Sequence, residues 1–147
     1  MTFKMKEWIA KVTRRMAYAD FWGAIGGSTA IANKNLTSGT TWQNLGSFTP
    51  PKGLWHIRVM VMFPANATGR RGATVSTASA TAGTGLATTS AQAVNGYATY
   101  LQMDFYQHLN GSTPLYVNAY QNSGSTLSVT TRYTARRIAD SYTVLGG

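Results

Sequence analysis

The stretch Gly53-Leu54-Trp55-His56-Ile57-Arg58-Val59-Met60-Val61-Met62-Phe63-Pro64 decides the fold. Taken alternately, its residues divide into two sets. Trp55, Ile57, Val59, Val61 and Phe63 form one, and Leu54, His56, Arg58, Met60 and Met62 the other. Period two is the mark of a strand, because successive side chains leave opposite faces of the backbone. Gly53 and Pro64 bracket it as turn residues do. The first face is wholly apolar and must line the main core. The second is not the polar face of an ordinary solvated antiparallel strand. It holds three large apolar residues beside one Arg and one His, and such a face calls for a cover. A second copy of the chain is the cover this reading favours.

The bulk properties bound the rest. A chain of 147 residues is one domain with room for a real core. Only 12% of residues are charged, about half the usual share. Abundant Gly, Ser, Thr, Ala and Asn suit an all-β protein. The absence of cysteine excludes disulfides, thiolate metal sites and cysteine nucleophiles. No apolar run reaches membrane-spanning length, and Met1–Trp8 lacks the apolar centre of a signal peptide. Synthesis in a cytoplasm is therefore expected, without secretion by a signal peptide. The net charge of +9 permits an anionic partner. Its five leading cations, Lys4, Lys6, Lys11, Arg14 and Arg15, are not the dense basic and aromatic cluster of a compact nucleic-acid binder. The expectation is thus against nucleic acid as the partner.

Outward from the central strand, residues 3–19 predict a helix whose seam is Met5, Ile9, Val12 and Met16, with Trp8 at its margin. Two heptads are marginal alone. The seam therefore needs a small bundle at the base of an oligomer, the body of its own domain, or a membrane surface, and the sequence leaves these three open, the membrane being the least favoured. Ala24–Gly27 reads as a hinge, which divides the chain into a helix and hinge over 1–27 and a head domain over 28–147. In the head, Ser28–Ala32 predicts a short strand and Asn33–Gly39 a polar turn. Further strands are expected at Thr41–Phe48, Gly69–Thr77, Tyr97–Leu109, Leu115–Tyr120 and Leu127–Ile138. Ser76–Ala93, low in complexity, is either a flexible loop or a thin edge pair. About eight short strands spaced by turn signals predict an antiparallel sandwich or jelly roll.

Little in the chain speaks for catalysis. The acids are Glu7, Asp20, Asp104 and Asp140, and they offer no carboxylate pair flanking one bond. His56 and His108 lack close metal-ligand spacing. No nucleophile elbow and no phosphate loop is present. The expectation is a protein without enzyme activity, metal or cofactor.

Three segments carry a resemblance. Gly53–Phe63 looks like the Gly-x-aromatic strand of the tumour-necrosis-factor and complement globular-head jelly rolls. Tyr106-Gln107-His108-Leu109-Asn110-Gly111-Ser112-Thr113-Pro114-Leu115-Tyr116-Val117 is similar to that family's strand, tight turn, strand step. Asn122–Leu127 with Tyr133–Ile138 resembles its closing arm and last strand. More narrowly, Asn66–Gly72 and Ala119–Gly124 look like heads at the tips of bacteriophage and prophage tail-fibre proteins. The resemblance spans residues 40–138. The last strand departs from it, with Arg-Tyr-Thr-Ala in place of the Phe-Ser-Gly of vertebrate members, which argues against an animal ligand.

The resemblance implies a homotrimer whose inner sheet packs round a threefold axis. It would be buried through Leu54, His56, Arg58, Met60, Met62, Asp104, Tyr106, His108 and Tyr133, with Asp104 as partner to Arg58. Candidate ligand residues are Arg70, Arg71, Tyr97, Tyr100, Tyr120 and Asn122, in loops that would gather at one end. The implied function is a trimeric tail-fibre or receptor-binding head in a virion. Its partners would be a host-surface glycan or protein and other virion proteins. The alternative is a jelly-roll capsid or decoration protein whose basic N-terminal arm contacts nucleic acid. A membrane-active role through Met1–Arg15 is a third reading.

Overall fold

The computed structural model describes residues 29–83 and 85–139, the side chains of residues 29, 30 and 32 excepted. Eight strands follow one another: β1 Thr29–Leu36, β2 Gly39–Phe48, β3 Gly53–Phe63, β4 Arg70–Ser76, β5 Gly85–Gln92, β6 Thr99–Leu109, β7 Leu115–Gln121 and β8 Leu127–Ala139. They form two antiparallel four-stranded sheets, ordered β1-β8-β3-β6 and β2-β7-β4-β5. Of consecutive strands only β4 and β5 pair directly; the others cross between sheets. That is the double Greek key of a jelly roll.

β3 sits inside its sheet, paired with β6 from Gly53↔Leu109 to Phe63↔Thr99 and with β8 on its other side. Its inward residues Trp55, Ile57, Val59, Val61 and Phe63 are fully buried. The facing sheet supplies Ala73, Val75, Leu115, Val117 and Ala119, also fully buried, and the two inner faces close one core. Trp55 buries its ring and still satisfies its indole N–H, which donates to the Pro51 carbonyl at 2.8 Å. Emptying any of these sites costs both the transfer of the lost atoms and a cavity.

Two local expectations need correction. The polar run Asn33-Lys34-Asn35 is no turn but the second half of β1, ending on the buried Leu36. The strand continues because its backbone pairs with β8, from Asn33↔Thr130 to Leu36↔Leu127, after an irregularity between Ala30 and Asn33. β1 is a sheet edge, where polar side chains are at home and also discourage stray pairing. Within Ser76–Ala93, β5 is an ordered edge strand pairing with β4 from Ser76↔Gly85 to Arg70↔Gln92. The expected helix, its seam Met5, Ile9, Val12 and Met16, and the boundary at residue 27 lie outside the described residues.

Candidate functional site

The outward face of β1-β8-β3-β6 gathers most of the residues assigned to an interface. Leu54, His56, Met60 and Met62 are half-buried and Arg58 is exposed. Opposite them on β6 stand His108, Tyr106, Asp104, Gln102 and Tyr100, in register with Leu54, His56, Arg58, Met60 and Met62. Tyr100 and Tyr106 are 61% and 66% exposed, unusual for large aromatic side chains. On the other flank β8 brings Arg132 beside Met60, Thr134 beside Arg58 and Arg136 beside His56.

Asp104 is the only acidic residue among the described residues, and cations surround it. Arg58 donates from Nε at 2.9 Å and lies at 2.8 Å through its Nη2, both to one carboxylate oxygen, while His56 Nε2 meets the other. The His56 hydrogen bond, then that of Arg58, holds the Asp104 carboxyl below its ordinary value. The His56 ring also stacks on Tyr106 with centroids 4.7 Å apart. The expected Arg58–Asp104 pair thus forms within one chain. Tyr133 is placed differently. It lies opposite Val59, on the core side, and stacks on Phe48 with centroids 4.1 Å apart.

The candidate ligand residues do not form one site. The connections around residues 38, 64–69, 93–98 and 122–126 do meet at one end of the sandwich. Thr68 Oγ1 donates to the Ser123 carbonyl at 3.1 Å, Gly124 N to Ser38 Oγ at 2.8 Å, and Ala93 N to the Gly69 carbonyl at 2.9 Å. Asn122 joins them by accepting from Arg70 N at 2.5 Å. Gly69, at φ +89°, permits the approach, since a Cβ there would lie 2.7 Å from the Asn122 backbone. Arg70, Asn122 and the 70%-exposed Tyr97 belong to this end. Tyr100 belongs to the outward face just described. Tyr120 lies on the outer face of the other sheet, across the strand pair from Gly72 and edge-to-face with Trp42 at 4.8 Å.

Arg71 is corrected outright. Adjacent strand residues leave opposite faces, so Arg70 points to solvent and Arg71 into the sandwich, fully buried. Its guanidinium reaches Thr99 Oγ1, donates to the Asn66 carbonyl at 3.0 Å and lies 5.7 Å from the centre of the Phe63 ring. Burial lowers its pKa, though an arginine remains charged. It fastens the 64–69 connection to β6 and is no surface contact.

The chain matches no protein-family model and no curated protein sequence. Among solved structures it is similar to a chain of the T13 particle of infectious bursal disease virus, with a TM-score of 0.52 and 10% identity over 76% of this chain. It is also similar to one in the Gx strain of that virus, with a TM-score of 0.50 and 12% identity over 79%. A carbohydrate-binding module of Cellvibrio mixtus lichenase 5A aligns over 72% of this chain and 88% of its own, at 16% identity and a TM-score of 0.37. What the viral chains share with this one is the jelly-roll fold. This chain spans 30% and 32% of their lengths.

The outer face of β2-β7-β4-β5 holds a residue that no sequence pattern marks. Asn118 is fully buried there because residues 77–83 fold back over it. Its amide donates to Ser76 Oγ at 3.0 Å and to the Ala78 and Thr81 carbonyls, each at 2.9 Å, and it accepts from Ala80 N at 2.9 Å. At the gathered end, buried Gln121 likewise donates to the Leu36 and Ser125 carbonyls at 3.1 and 2.7 Å. Nothing in the sequence marks these amides as clamps, since a buried and a solvated Asn read alike. Arg132 and Arg136 were overlooked for another reason. They join the interface face only through the β8–β3 register.

Proposed function

We propose that the chain is a jelly-roll structural protein of a virus particle, non-catalytic, which works as a homotrimer closed through the outward face of β1-β8-β3-β6. The observation that carries the reading is that face itself. Leu54, Met60 and Met62 are only half-covered on it, and Tyr100 and Tyr106 stand open beside them. Large apolar and aromatic side chains left open on one sheet face mark an association site. In the tumour-necrosis-factor and complement-head family that the sequence resembles, it is an inner sheet that packs round the threefold axis. The gathered end with Arg70, Tyr97 and Asn122 would then be presented three times over, and weak contacts to a host-surface glycan or protein would add by avidity. This is the tail-fibre or receptor-binding reading, in which other virion proteins hold the opposite end and the protein is located in the virion.

The likeness to chains of infectious bursal disease virus particles supports a second reading, a shell or decoration subunit; the five cations of residues 1–28 would then let a basic N-terminal arm contact nucleic acid. The two part on simple measurements. A discrete trimer indifferent to single-stranded RNA and DNA supports the fibre head. Large closed assemblies, with nucleic-acid affinity that falls steeply with salt, support the shell.

A further inference from the structure

The outward face of β1-β8-β3-β6 carries a charge conflict that its closure would sharpen. Among the described residues the jelly roll holds eight Lys and Arg against the single carboxylate of Asp104, which Arg58 and His56 already occupy. Arg58 on β3 faces Thr134 on β8, with Arg132 and Arg136 two residues to either side on the same face. Two adjoining hollows of roughly 210 and 250 Å³ lie between them. His56, Arg58, Thr134 and Arg136 line one; Arg58, Arg132 and Thr134, with Met60, Gln102 and Tyr133, line the other. Each hollow therefore has two guanidinium-bearing residues and a hydroxyl-bearing threonine in its walls. Arg132 makes no ion pair among the described residues. Beyond the described residues, 1–28 carry five Lys and Arg against Glu7 and Asp20, and 140–147 add one acid, Asp140, so the chain as a whole stays strongly cationic.

We propose that these hollows bind a small tetrahedral oxyanion of the phosphate or sulfate class, which neutralises the arginines where copies of the chain meet. The role rests on the interface reading above, while every residue of the site lies within one chain. Guanidinium groups suit such an anion because each presents parallel N–H donors that match two of its oxygens. Covering the face removes the water that otherwise screens Arg132 and Arg136 on either side of the Arg58–Asp104 pair, and like charges in a drier setting repel more strongly. An anion held between copies turns that repulsion into a cross-link, and a second copy closing over the site shields it from water.

The test uses the full chain with inorganic phosphate as the probe. Association is followed by light scattering over a dilution series, in chloride and in phosphate at equal ionic strength, and phosphate binding by calorimetry. For a site of millimolar affinity, about 10 mM phosphate should strengthen association about tenfold per site. R132Q/R136Q should bind no phosphate, associate without it at least as tightly as the parent chain does, and lose the phosphate response. R132K/R136K, which keeps the charge and loses the paired donors, should respond more weakly than the parent chain. An equal response in the parent chain and R132Q/R136Q would be a general salt effect and would overturn the site. A trimer indifferent to phosphate would overturn it as well, while leaving the interface reading intact. A monomer that binds phosphate through Arg132 and Arg136 would keep the site and remove the interface. Displacement of phosphate by a short single-stranded oligonucleotide would make the phosphate source nucleic acid and refute a small anion held between copies.

Discussion

The two outward faces of this sandwich are finished in different ways. On β2-β7-β4-β5 the chain covers itself. Residues 77–83 fold over the sheet and are pinned by Asn118, and the Tyr120 ring lies so close over Gly72 that a Cβ there would come within 2.1 Å of it. On β1-β8-β3-β6 no described segment does the same. Met60 and Met62 stay half-covered, Tyr100 and Tyr106 open, and the cations outnumber the one acid. A sheet face that its own chain has sealed with satisfied hydrogen bonds has no need of a partner. One that keeps large apolar side chains between arginines is suited to meeting another surface.

Changes to the open face should break assembly and spare the fold; changes to the sealed face should do the reverse. The largest effect is expected from Met60→Glu combined with Met62→Glu. Fully burying a methionine is worth roughly 1.5–3 kcal/mol, and an unpaired carboxylate in its place adds a penalty. Association should weaken by at least about a hundredfold by light scattering, with the circular dichroism of the monomer unchanged. Asn118→Ala comes next. It removes the amide's hydrogen bonds from a buried site and strands the Ala80 N–H, so a loss of about 2–3 kcal/mol is expected in denaturant unfolding, with the subunit number retained. Gly72→Ala should cost about 1–2 kcal/mol, because the Tyr120 ring must move off the strand. The near-ultraviolet signal of the Trp42–Tyr120 pair should change with it.

Asp104→Asn is expected to have the smallest effect, below about 1 kcal/mol at neutral pH, since the carboxylate is 37% exposed and screened by solvent. Its signature lies in acid. The folded state holds the Asp104 carboxyl below its ordinary 3.8. Its contribution is therefore complete above that value and is lost as pH falls through the lower folded one. The parent chain should lose this increment on acidification and Asp104→Asn should not, as thermal unfolding across that range will show.

What could be read from the sequence follows from periodicity. Trp55 to Phe63 alternate without a break, so β3 and its inward face were plain, and Leu101 and Met103 made β6 so. Asp104 could be matched to Arg58 because the resemblance set the two strands side by side. β1 was read short because Asn33-Lys34-Asn35 are turn-formers by composition, and only pairing with β8 keeps them extended. Arg71 falls among the ligand residues when Asn66–Gly72 is read as a loop, whereas β4 already begins at Arg70 and its alternation sends Arg71 inward. Tyr133 was set with the interface although its place opposite Val59 turns it toward Phe48. Asn118, Gln121, Arg132 and Arg136 owe their roles to long-range register, which a local pattern does not contain.

The central claim, that another copy covers the outward face of β3, is tested most directly by oxidative footprinting of the methionines across a dilution series, with molar mass measured in parallel. Met103, buried in the sandwich, serves as the internal control. The account predicts a mass of three times 15.8 kDa at high concentration, with Met60 and Met62 nearly as protected as Met103. On dilution both should become reactive together as the mass falls to that of one chain. A single-chain mass at every concentration, with Met60 and Met62 reactive throughout, would contradict it.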